Sequence, residues 1–514
     1  MRRELPAGTA QRYTHPMRIG IVQARFPRGA VQRNVESICH FLGEARAQRC
    51  GVVLFPEEAL HGGPHHGLPR DVGARQLDST ALERVVSAAG GMSLALGIDR
   101  PPAWAISSKG GAQELLPTRS AAVIENGVLR VETGSARVAL PALRLEALNA
   151  EVRIGDRWAR GDEIASDGLT KGAWLVALSS SPFRYGDDAD GGCTVRRWAA
   201  TRGMGLACVR GVGLHDEQIL RGGSFIVDPT GRLVMHAPWF EDGLFVADLD
   251  DSEAAWPDDT AEVVLRQALV RGLRDFVADT GLSRVIIGLS GGIDSAVVTC
   301  LAVDALGPDA VTAVFLPSEF TGEESRSGAF EIARRLGVEL VEMSIEPLHH
   351  QARAVMPELP VGLTDENLQP RLRAVLLMGL ANQRNALVLC PGNKSEIAVG
   401  YSTLYGDTVG AVAPLGDLYK ADVYRLAEQF SEAIPVAVRE RPPSAELRLG
   451  QRDDEDLPSY SILDPILAAL LEERVRRDDL IADGSDPRIV DWVIERHHAS
   501  AYKRGQLPPV LRVR

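Results

Sequence analysis

Residues 285–295 read Val285-Ile286-Ile287-Gly288-Leu289-Ser290-Gly291-Gly292-Ile293-Asp294-Ser295, and Ala296-Val297-Val298-Thr299-Cys300-Leu301 follows. The opening run has no polar–apolar alternation, the pattern of a strand buried on both faces of a parallel sheet. Ser-Gly-Gly then turns the chain, and the next apolar run begins a helix. Glycines carry no Cβ to hold an anion away from the backbone. Exposed N–H groups at a helix start, with the positive end of its dipole, attract that anion. Ser290 and Ser295 add hydroxyl donors. Asp294 is a hard oxygen ligand placed to hold Mg²⁺ against bound phosphates. No Gly-Lys-Ser/Thr follows, so this is not a Walker loop. Strand, glycine-rich turn and helix in that order open a doubly wound α/β domain.

Upstream, Ala261 to Thr280 carries Val264, Leu265, Ala268, Leu269, Leu273 and Phe276 at helical spacing. Before it, Asp248-Leu249-Asp250-Asp251-Ser252-Glu253 and Pro257 read as a loop, which places a linker at 252–260. Residues 261–514 then form one domain and 17–251 another, with 1–16 a loose extension lacking a signal peptide's apolar core. The first half alternates strand-like runs (Arg18–Val22, Gly51–Phe55, Ser120–Ile124, Trp174–Leu178, Ser224–Val227) with helical stretches, and Asp228-Pro229-Thr230-Gly231 reads as a hairpin turn. It is an α/β layered domain with some antiparallel pairing.

The whole chain has 514 residues, 45% apolar and 24% charged, so a disordered or collagenous chain is excluded. Lys and Arg total 56 against 69 Asp and Glu, a formal charge of -13. An acidic surface gives neither nucleic acid nor an anionic membrane a long-range attraction. No apolar stretch reaches the roughly 18 residues a membrane span needs. The six cysteines form no CxxC pair, and several sit in apolar runs. That is the pattern of reduced thiols in a cytoplasmic protein.

The string Ser-Gly-Gly-x-Asp-Ser resembles the pyrophosphate loop of enzymes that split ATP into AMP and pyrophosphate, guanylate, asparagine and argininosuccinate synthetases among them. The flanking motifs narrow the choice. They are Thr364-Asp365-Glu366-Asn367-Leu368-Gln369-Pro370-Arg371, Gly392-Asn393-Lys394-Ser395-Glu396, Gly400-Tyr401-Ser402-Thr403-Leu404-Tyr405-Gly406-Asp407, Pro414–Lys420, Arg441–Leu447, Leu457–Tyr460 and Tyr502-Lys503-Arg504. From about residue 261 to 509 this series resembles the synthetase half of the glutamine-dependent NAD synthetases. The resemblance implies an adenine nucleotide alpha hydrolase-like fold, ATP and Mg²⁺ as cofactors, and adenylation of the deamido-NAD carboxylate followed by amidation. It implies that Gly288, Leu289, Ser290, Gly291, Gly292, Ile293, Asp294 and Ser295 bind ATP. It further implies that Asp294 and Glu396 hold Mg²⁺, that Lys420 stabilises phosphate charge, and that Asn367, Arg371, Glu396, Asp407 and Lys503 meet the substrate.

Each role has a plainer competitor. Glu396 fits a first-turn helix carboxylate, and Lys420 and Lys503 fit solvated surface lysines. Asn367 fits an N-cap for a helix over Leu372–Leu380, and Asp407 fits a turn residue. One position departs from the family: a Thr that precedes Gly-Asn-Lys-Ser-Glu there is Pro391 here, with neither hydroxyl nor N–H. The expected consequence is weaker ATP affinity or a rearranged substrate pocket.

The same resemblance reaches residues 17–251. Ile21-Val22-Gln23, Asn34, Phe55-Pro56-Glu57, Ser179–Phe183, His215-Asp216-Glu217 and Gly222–Phe225 look like landmarks of a nitrilase-like glutaminase domain. Its chemistry needs a Glu-Lys-Cys triad in which the thiolate attacks the amide. Glu57 matches the Glu. Arg137 stands nearest the Lys position, keeping charge without the geometry. At the Cys position the chain reads Ile154-Gly155, and no cysteine occurs between Cys50 and Cys193. The glutamine-binding Tyr and Lys of the family correspond to Gly63 and Asp187, while Ser181 is retained. The domain is expected to be a degenerate glutaminase, with Cys193 as a displaced nucleophile the competing reading. His61, His65 and His66 cluster near Glu57 but match no helical metal-ligand spacing, and read as a polar loop.

Three functions remain open on sequence. The first is an NAD synthetase-like carbon–nitrogen ligase supplied with free ammonia or an external ammonia donor, assembled as a homo-oligomer. The second is a diverged paralogue that adenylates a different carboxylate or uses a different amine, for instance in specialised metabolism. The third is a non-catalytic regulator, against which the joint presence of Ser290, Asp294, Ser295, Glu396 and Lys420 counts.

Overall fold

In the computed structural model, the described residues are 18–57, 59–62, 73–100, 118–134, 143–154, 171–186, 192–356, 362–451 and 456–514. The chain forms two compact units. One comprises Met1–Pro182, Asp188–His215 and Leu220–Asp258; the other comprises Phe183–Asp187, Asp216–Ile219 and Asp259–Arg514.

The first unit runs β1 (Arg18–Gln23), α1 (Val31–Ala47), β2 (Val52–Leu54), α2 (Gly73–Ala89), β3 (Ser93–Arg100), β4 (Thr118–Glu125), β5 (Val128–Gly134), β6 (Leu143–Leu145), β7 (Ala150–Ile154), β8 (Trp174–Ser179), α3 (Cys193–Arg202), β9 (Gly205–Arg210), β10 (Val212–His215), β11 (Gln218–Arg221), β12 (Phe225–Val227), β13 (Leu233–His236) and β14 (Gly243–Asp248). Two six-stranded sheets result, ordered β14-β1-β2-β3-β4-β5 and β13-β12-β9-β8-β7-β6. Strand residues point alternately to opposite faces, and the alternation sorts them into layers. Ile19, Ile21, Val52 and Leu54 pack against Val176, Leu178, Ala207 and Val209 between the sheets. Val22, Val53, Leu94 and Leu96 point outward onto α1 and α2. Leu175, Ala177, Leu206 and Cys208 point outward onto α3. The unit is a four-layer α-β-β-α sandwich, the α/β layered domain expected from the sequence.

The second unit runs α4 (Ala261–Thr280), β15 (Val285–Gly288), α5 (Ile293–Leu306), β16 (Val311–Phe315), α6 (Glu323–Leu336), β17 (Glu339–Glu342), α7 (Glu346–Val355), α8 (Leu363–Arg384), β18 (Leu387–Val388), α9 (Lys394–Val399), α10 (Lys420–Glu428), α11 (Val436–Arg439), α12 (Tyr460–Leu471), α13 (Arg477–Ala482), α14 (Pro487–Ala499) and α15 (Ala501–Arg504). Its sheet is wholly parallel in the order β17-β16-β15-β18. Val285, Ile286 and Ile287 are fully buried, as an unalternated strand should be. The chain leaves β15 first towards β16 and later returns on its other side as β18. The carboxyl ends of β15 and β18 therefore form a topological switch point, where doubly wound sheets bind ligands.

Phe183–Asp187 and Asp216–Ile219 interrupt the first unit's sequence, whereas the sequence reading kept 17–251 whole. The reason is backbone pairing with residues far along the chain: Tyr185 N–H donates to the Val513 carbonyl at 2.6 Å and Arg512 N–H to the Glu217 carbonyl at 2.8 Å. Such pairing leaves no local pattern.

Candidate active site

A cavity of about 320 Å³ opens at the switch point in the second unit, walled by Gly288, Ser290 and Gly292–Ser295 after β15, and by Cys390 and Pro391 after β18. Gly291 has φ +84°, and a Cβ there would lie 2.1 Å from the Ser325 carbonyl oxygen, so no side chain fits. The loop is held by its own hydroxyls. Ser295 Oγ accepts from Ser290 N at 3.2 Å and donates to the Gly292 carbonyl at 3.0 Å. Gly292 is the N-cap of α5, and no side chain caps that helix start. Its first-turn amides lie in the cavity wall with the positive end of the dipole.

Asp294, in the first turn of α5, meets residues from two other elements. Its Oδ2 accepts from Lys420 Nζ at 2.5 Å and its Oδ1 from Asn393 Nδ2 at 3.0 Å. Lys420 Nζ also reaches Glu396 Oε1 at 3.3 Å. The Lys420 side chain is only 2% exposed, so it is no solvated surface lysine. Burial works against its ammonium, but the carboxylates of Asp294 and Glu396 outweigh it and hold the pKa above the ordinary lysine value. Glu396 is in the first turn of α9 and also turns towards the cavity. Asn393 joins the two carboxylates: as N-cap of α9 its Oδ1 accepts from Glu396 N at 3.1 Å, while its amide nitrogen binds Asp294. Beneath them, Ser395 Oγ accepts from Lys420 N at 2.9 Å, and Asp464 Oδ2 from Ala421 N at 2.9 Å. Burial raises the Asp464 pKa. This latch fixes where α10 begins and thus where Lys420 points.

Asp407 lines the cavity as well. Its Oδ1 accepts from Thr403 N at 2.9 Å. The residue is exposed to the cavity yet crowded by protein. Desolvation pushes its pKa up to about 6 against that hydrogen bond and the charges of Lys503 and Arg371. Arg373 also lines the wall, donating from Nε to the Leu316 carbonyl at 2.9 Å. Burial lowers its pKa to about 10, against Glu446 and Asp407.

Asn367, Arg371 and Lys503 all grip the segment that delivers Asp407. Thr403 Oγ1 donates to Asn367 Oδ1 at 2.5 Å. Arg371 Nε donates to the Leu404 carbonyl at 3.1 Å. Lys503 Nζ donates to the Gly400 and Ser402 carbonyls at 2.8 and 2.6 Å, and desolvation lowers its pKa. Asn367 is not an N-cap, because α8 begins at Leu363 with Gly362 as its cap. Sequence reasoning missed Asn393, Ser395, Asp464 and Arg373 as site members. The Asn-x-x-Glu spacing of Asn393 and Glu396 was the available signal, a capping arrangement; Asp464 and Arg373 had none.

In the first unit, Glu57 is 3% exposed and its Oε2 accepts from Ser180 N at 3.1 Å. Ile154 closes β7 in parallel register with Leu178 of β8, two residues before Ser180. Cys208 is buried on the outer face of its sheet, and Cys193 is exposed at the start of α3. Arg137, Gly155, Gly63, His65, His66 and Asp187 lie outside the described residues. Among the described residues no group of three or more His, Cys, Asp or Glu is arranged to hold a metal ion, and no helix is long and apolar enough to cross a membrane.

Residues 265–508 match the NAD synthase family profile. The chain is 36% identical over 523 residues to the glutamine-dependent NAD(+) synthetase of Xylella fastidiosa, covering 96% of this chain and 95% of that one. It is 30% identical over 546 residues to the enzyme of that name from Aquifex aeolicus, with 96% of each chain covered. Among solved structures, the glutamine-dependent NAD+ synthetase from Acinetobacter baumannii in complex with ADP superposes with a TM-score of 0.74 at 29% identity, over 96% of this chain and 95% of that one. The glutamine-dependent NAD(+) synthetase from Cytophaga hutchinsonii shares the fold, with a TM-score of 0.79 at 17% identity over 96% and 94%.

Proposed function

Since the chain belongs to the glutamine-dependent NAD(+) synthetase family, we propose that it is an ATP-dependent carbon–nitrogen ligase that amidates deamido-NAD with ammonia, its own nitrilase-like unit supplying none. The observation that carries the ligase half is the convergence of Lys420, Asp294 and Glu396 beside the uncapped start of α5. In the first step the substrate carboxylate attacks the α-phosphorus of ATP and pyrophosphate leaves. In the second, ammonia attacks the acyl adenylate and AMP leaves. The amides of the 288–295 loop and the Lys420 ammonium face the oxygens that gain negative charge, an arrangement worth most in a site shielded from water.

Mg²⁺ fits the donor set. Asp294 and Glu396 give two hard carboxylates within reach of one point, and Mg²⁺ is commonly held by one or two carboxylates together with substrate phosphates. When bound, it neutralises phosphate charge. Asp407, with Asn367, Arg371 and Lys503 behind it, faces the substrate side of the cavity. The protein is a homo-oligomer of the cytoplasm in this reading.

Support for the second half of the proposal comes from β7. β7 ends at Ile154, which pairs with Leu178, two residues before the Ser180 amide that binds Glu57, and the sequence offers no thiol from there to Cys193. Without a nucleophile no acyl-enzyme forms. The test is one reaction mixture. Protein, ATP, Mg²⁺, deamido-NAD and ammonium are expected to give NAD, AMP and pyrophosphate, and glutamine in place of ammonium is expected to give neither NAD nor glutamate. Steady glutamate release overturns the ammonia reading. Pyrophosphate release only with some other acid moves the assignment to the paralogue reading, which Pro391 in the cavity wall favours.

A further inference from the structure

Residues 509–514 run across the second unit as a strap. Pro509 accepts from Ala413 N at 2.9 Å, and Leu511 and Val513 are buried. Asp417 Oδ2 takes the amides of Val513 and Arg514 at 2.8 and 2.9 Å. Its other oxygen accepts from Lys394 Nζ at 2.7 Å. Lys394 is two residues before Glu396 at the start of α9. The Arg514 guanidinium donates to Asp422 Oδ2 at 2.5 Å, approaches Glu472 Oε2 at 3.5 Å, and stacks over Tyr185 and Tyr419 at 5.4 and 5.1 Å. The Asp422 side chain is 1% exposed. The same oxygen, Asp422 Oδ2, accepts from Tyr419 N at 3.1 Å and so closes the turn immediately before Lys420.

We infer that this strap positions the adenylation residues, with Arg514 acting on Lys420 through Asp422, and Asp417 acting on Glu396 through Lys394. The inference rests on the adenylation reading above. Neither Arg514 nor Asp422 lines the cavity, so both are positioning residues. The physical logic is that Lys420 must serve two carboxylates at once, and its reach is set by where α10 starts. The Ser395–Asp464 latch holds that start from one side, and Asp422, neutralised by Arg514 and Arg425, holds it from the other. Without Arg514 a nearly fully buried carboxylate keeps, among the described residues, the half-exposed Arg425 as counter-ion, and the turn at Tyr419 shares its loss. The strap is itself gripped by Tyr185, whose hydroxyl donates to Glu262 Oε1 at 3.0 Å, and by Glu217, which takes Arg512 Nε at 2.7 Å. The segments Phe183–Asp187 and Asp216–Ile219 thereby bear on Lys420.

The experiment uses the full chain with Arg514→Ala, Arg514→Lys and Asp422→Asn. Pyrophosphate release with deamido-NAD, ATP affinity without it, and hydrogen exchange at residues 419–423 are measured. A displacement of about 1 Å at a catalytic group costs up to about 100-fold, so kcat for Arg514→Ala is expected to fall about 10- to 100-fold with ATP affinity unchanged. Exchange at 419–423 is expected to quicken. Arg514→Lys recovers part of the rate, and Arg514→Ala with Asp422→Asn costs less than the two singly combined. An unchanged kcat, or equal losses of kcat and ATP affinity, overturns the strap. If the wild-type protein releases no pyrophosphate, the adenylation reading has failed instead, and unaltered exchange at 419–423 then still refutes the positioning claim. If Arg514→Ala does not fold, Arg514→Lys and Asp422→Asn carry the same comparison.

Discussion

Replacing Lys420 with Met should both destabilise the second unit and stop adenylation. The side chain is 2% exposed and lies between Asp294 Oδ2 at 2.5 Å and Glu396 Oε1 at 3.3 Å. Methionine fills a similar volume but leaves two carboxylates facing each other without the lysine's positive charge between them. Breaking a buried ion pair in this way costs about 3–5 kcal/mol. The carboxylate side chains keep 20% and 21% of their exposure, and Asn393 still donates to Asp294, so the lower end applies. For a unit of this size about 3 kcal/mol is a fall of about 6–12 °C in Tm. The pH dependence separates this cause from a packing defect. The Lys420 pKa is raised above the ordinary lysine value of 10.5, so its contribution is complete below that value and declines only as pH rises through the higher folded pKa. The wild-type protein therefore loses none of it at neutral pH. In the variant, the facing carboxylates bind protons more readily than in the unfolded chain, so its deficit should shrink as pH falls into the carboxylate range. Thermal melts across pH and pyrophosphate release are the assays. A Tm matching the wild type, or a deficit that does not vary with pH, would falsify the electrostatic account of this residue.

Asp407 has its pKa pushed up to about 6, so kcat/KM for the dinucleotide substrate is expected to fall as pH drops through about 6. Asp407→Asn should remove that limb and stabilise the protein above it, because the ionised form is the one disfavoured by folding. Pro391→Thr restores a hydroxyl and a backbone N–H to the cavity wall; with one of them bonded to nucleotide, at about 0.5–1.5 kcal/mol for a hydrogen bond, the KM for ATP should drop about 2- to 10-fold in initial-rate assays, and an unchanged KM removes Pro391 from the nucleotide site. Cys193→Ala should leave ammonia-supported NAD formation intact, with glutamate release from glutamine absent before and after; release present only before it identifies Cys193 as a displaced nucleophile.

Parts of this architecture were legible because their causes are local. The helix expected over Ala261–Thr280 has those bounds because Thr260 caps one end through Val263 N and Gly281 takes the left-handed conformation at the other, at φ +74°. The strand and loop of 285–295 were legible for the same reason. Lys420 was legible only through resemblance: its partners Asp294 and Glu396 lie 126 and 24 positions away, and nothing near it in sequence announces burial. The competing cap reading of Asn367 fails for a non-local reason. Pro370 argues locally against a helix running through it. In the structure Pro370 lies inside α8, where its Cβ comes within 2.9 Å of the point a Gly406 Cβ would occupy. Tertiary packing at the 400–408 segment outweighs the lost backbone hydrogen bond.

The two units also differ in how much one missing residue decides. Acyl transfer by a cysteine nucleophile passes through a covalent bond to one sulfur atom, so in the reading proposed above Ile154-Gly155 at that position closes the route. Adenylation passes through no protein bond. In the proposed reading its stabilisation is spread over loop amides, Lys420, Asp294, Glu396 and the latches of Asn393, Ser395 and Asp464 that hold them. Replacing one wall contact, as Pro391 does, subtracts a term and leaves the rest standing. On the proposed reading, this asymmetry lets the sequence speak more firmly about glutamine hydrolysis in the first unit than about the carboxylate taken by the second. In the same reading, the substitutions expected to discriminate between substrates fall at Asp407 and the residues that hold its segment, rather than in the phosphate loop.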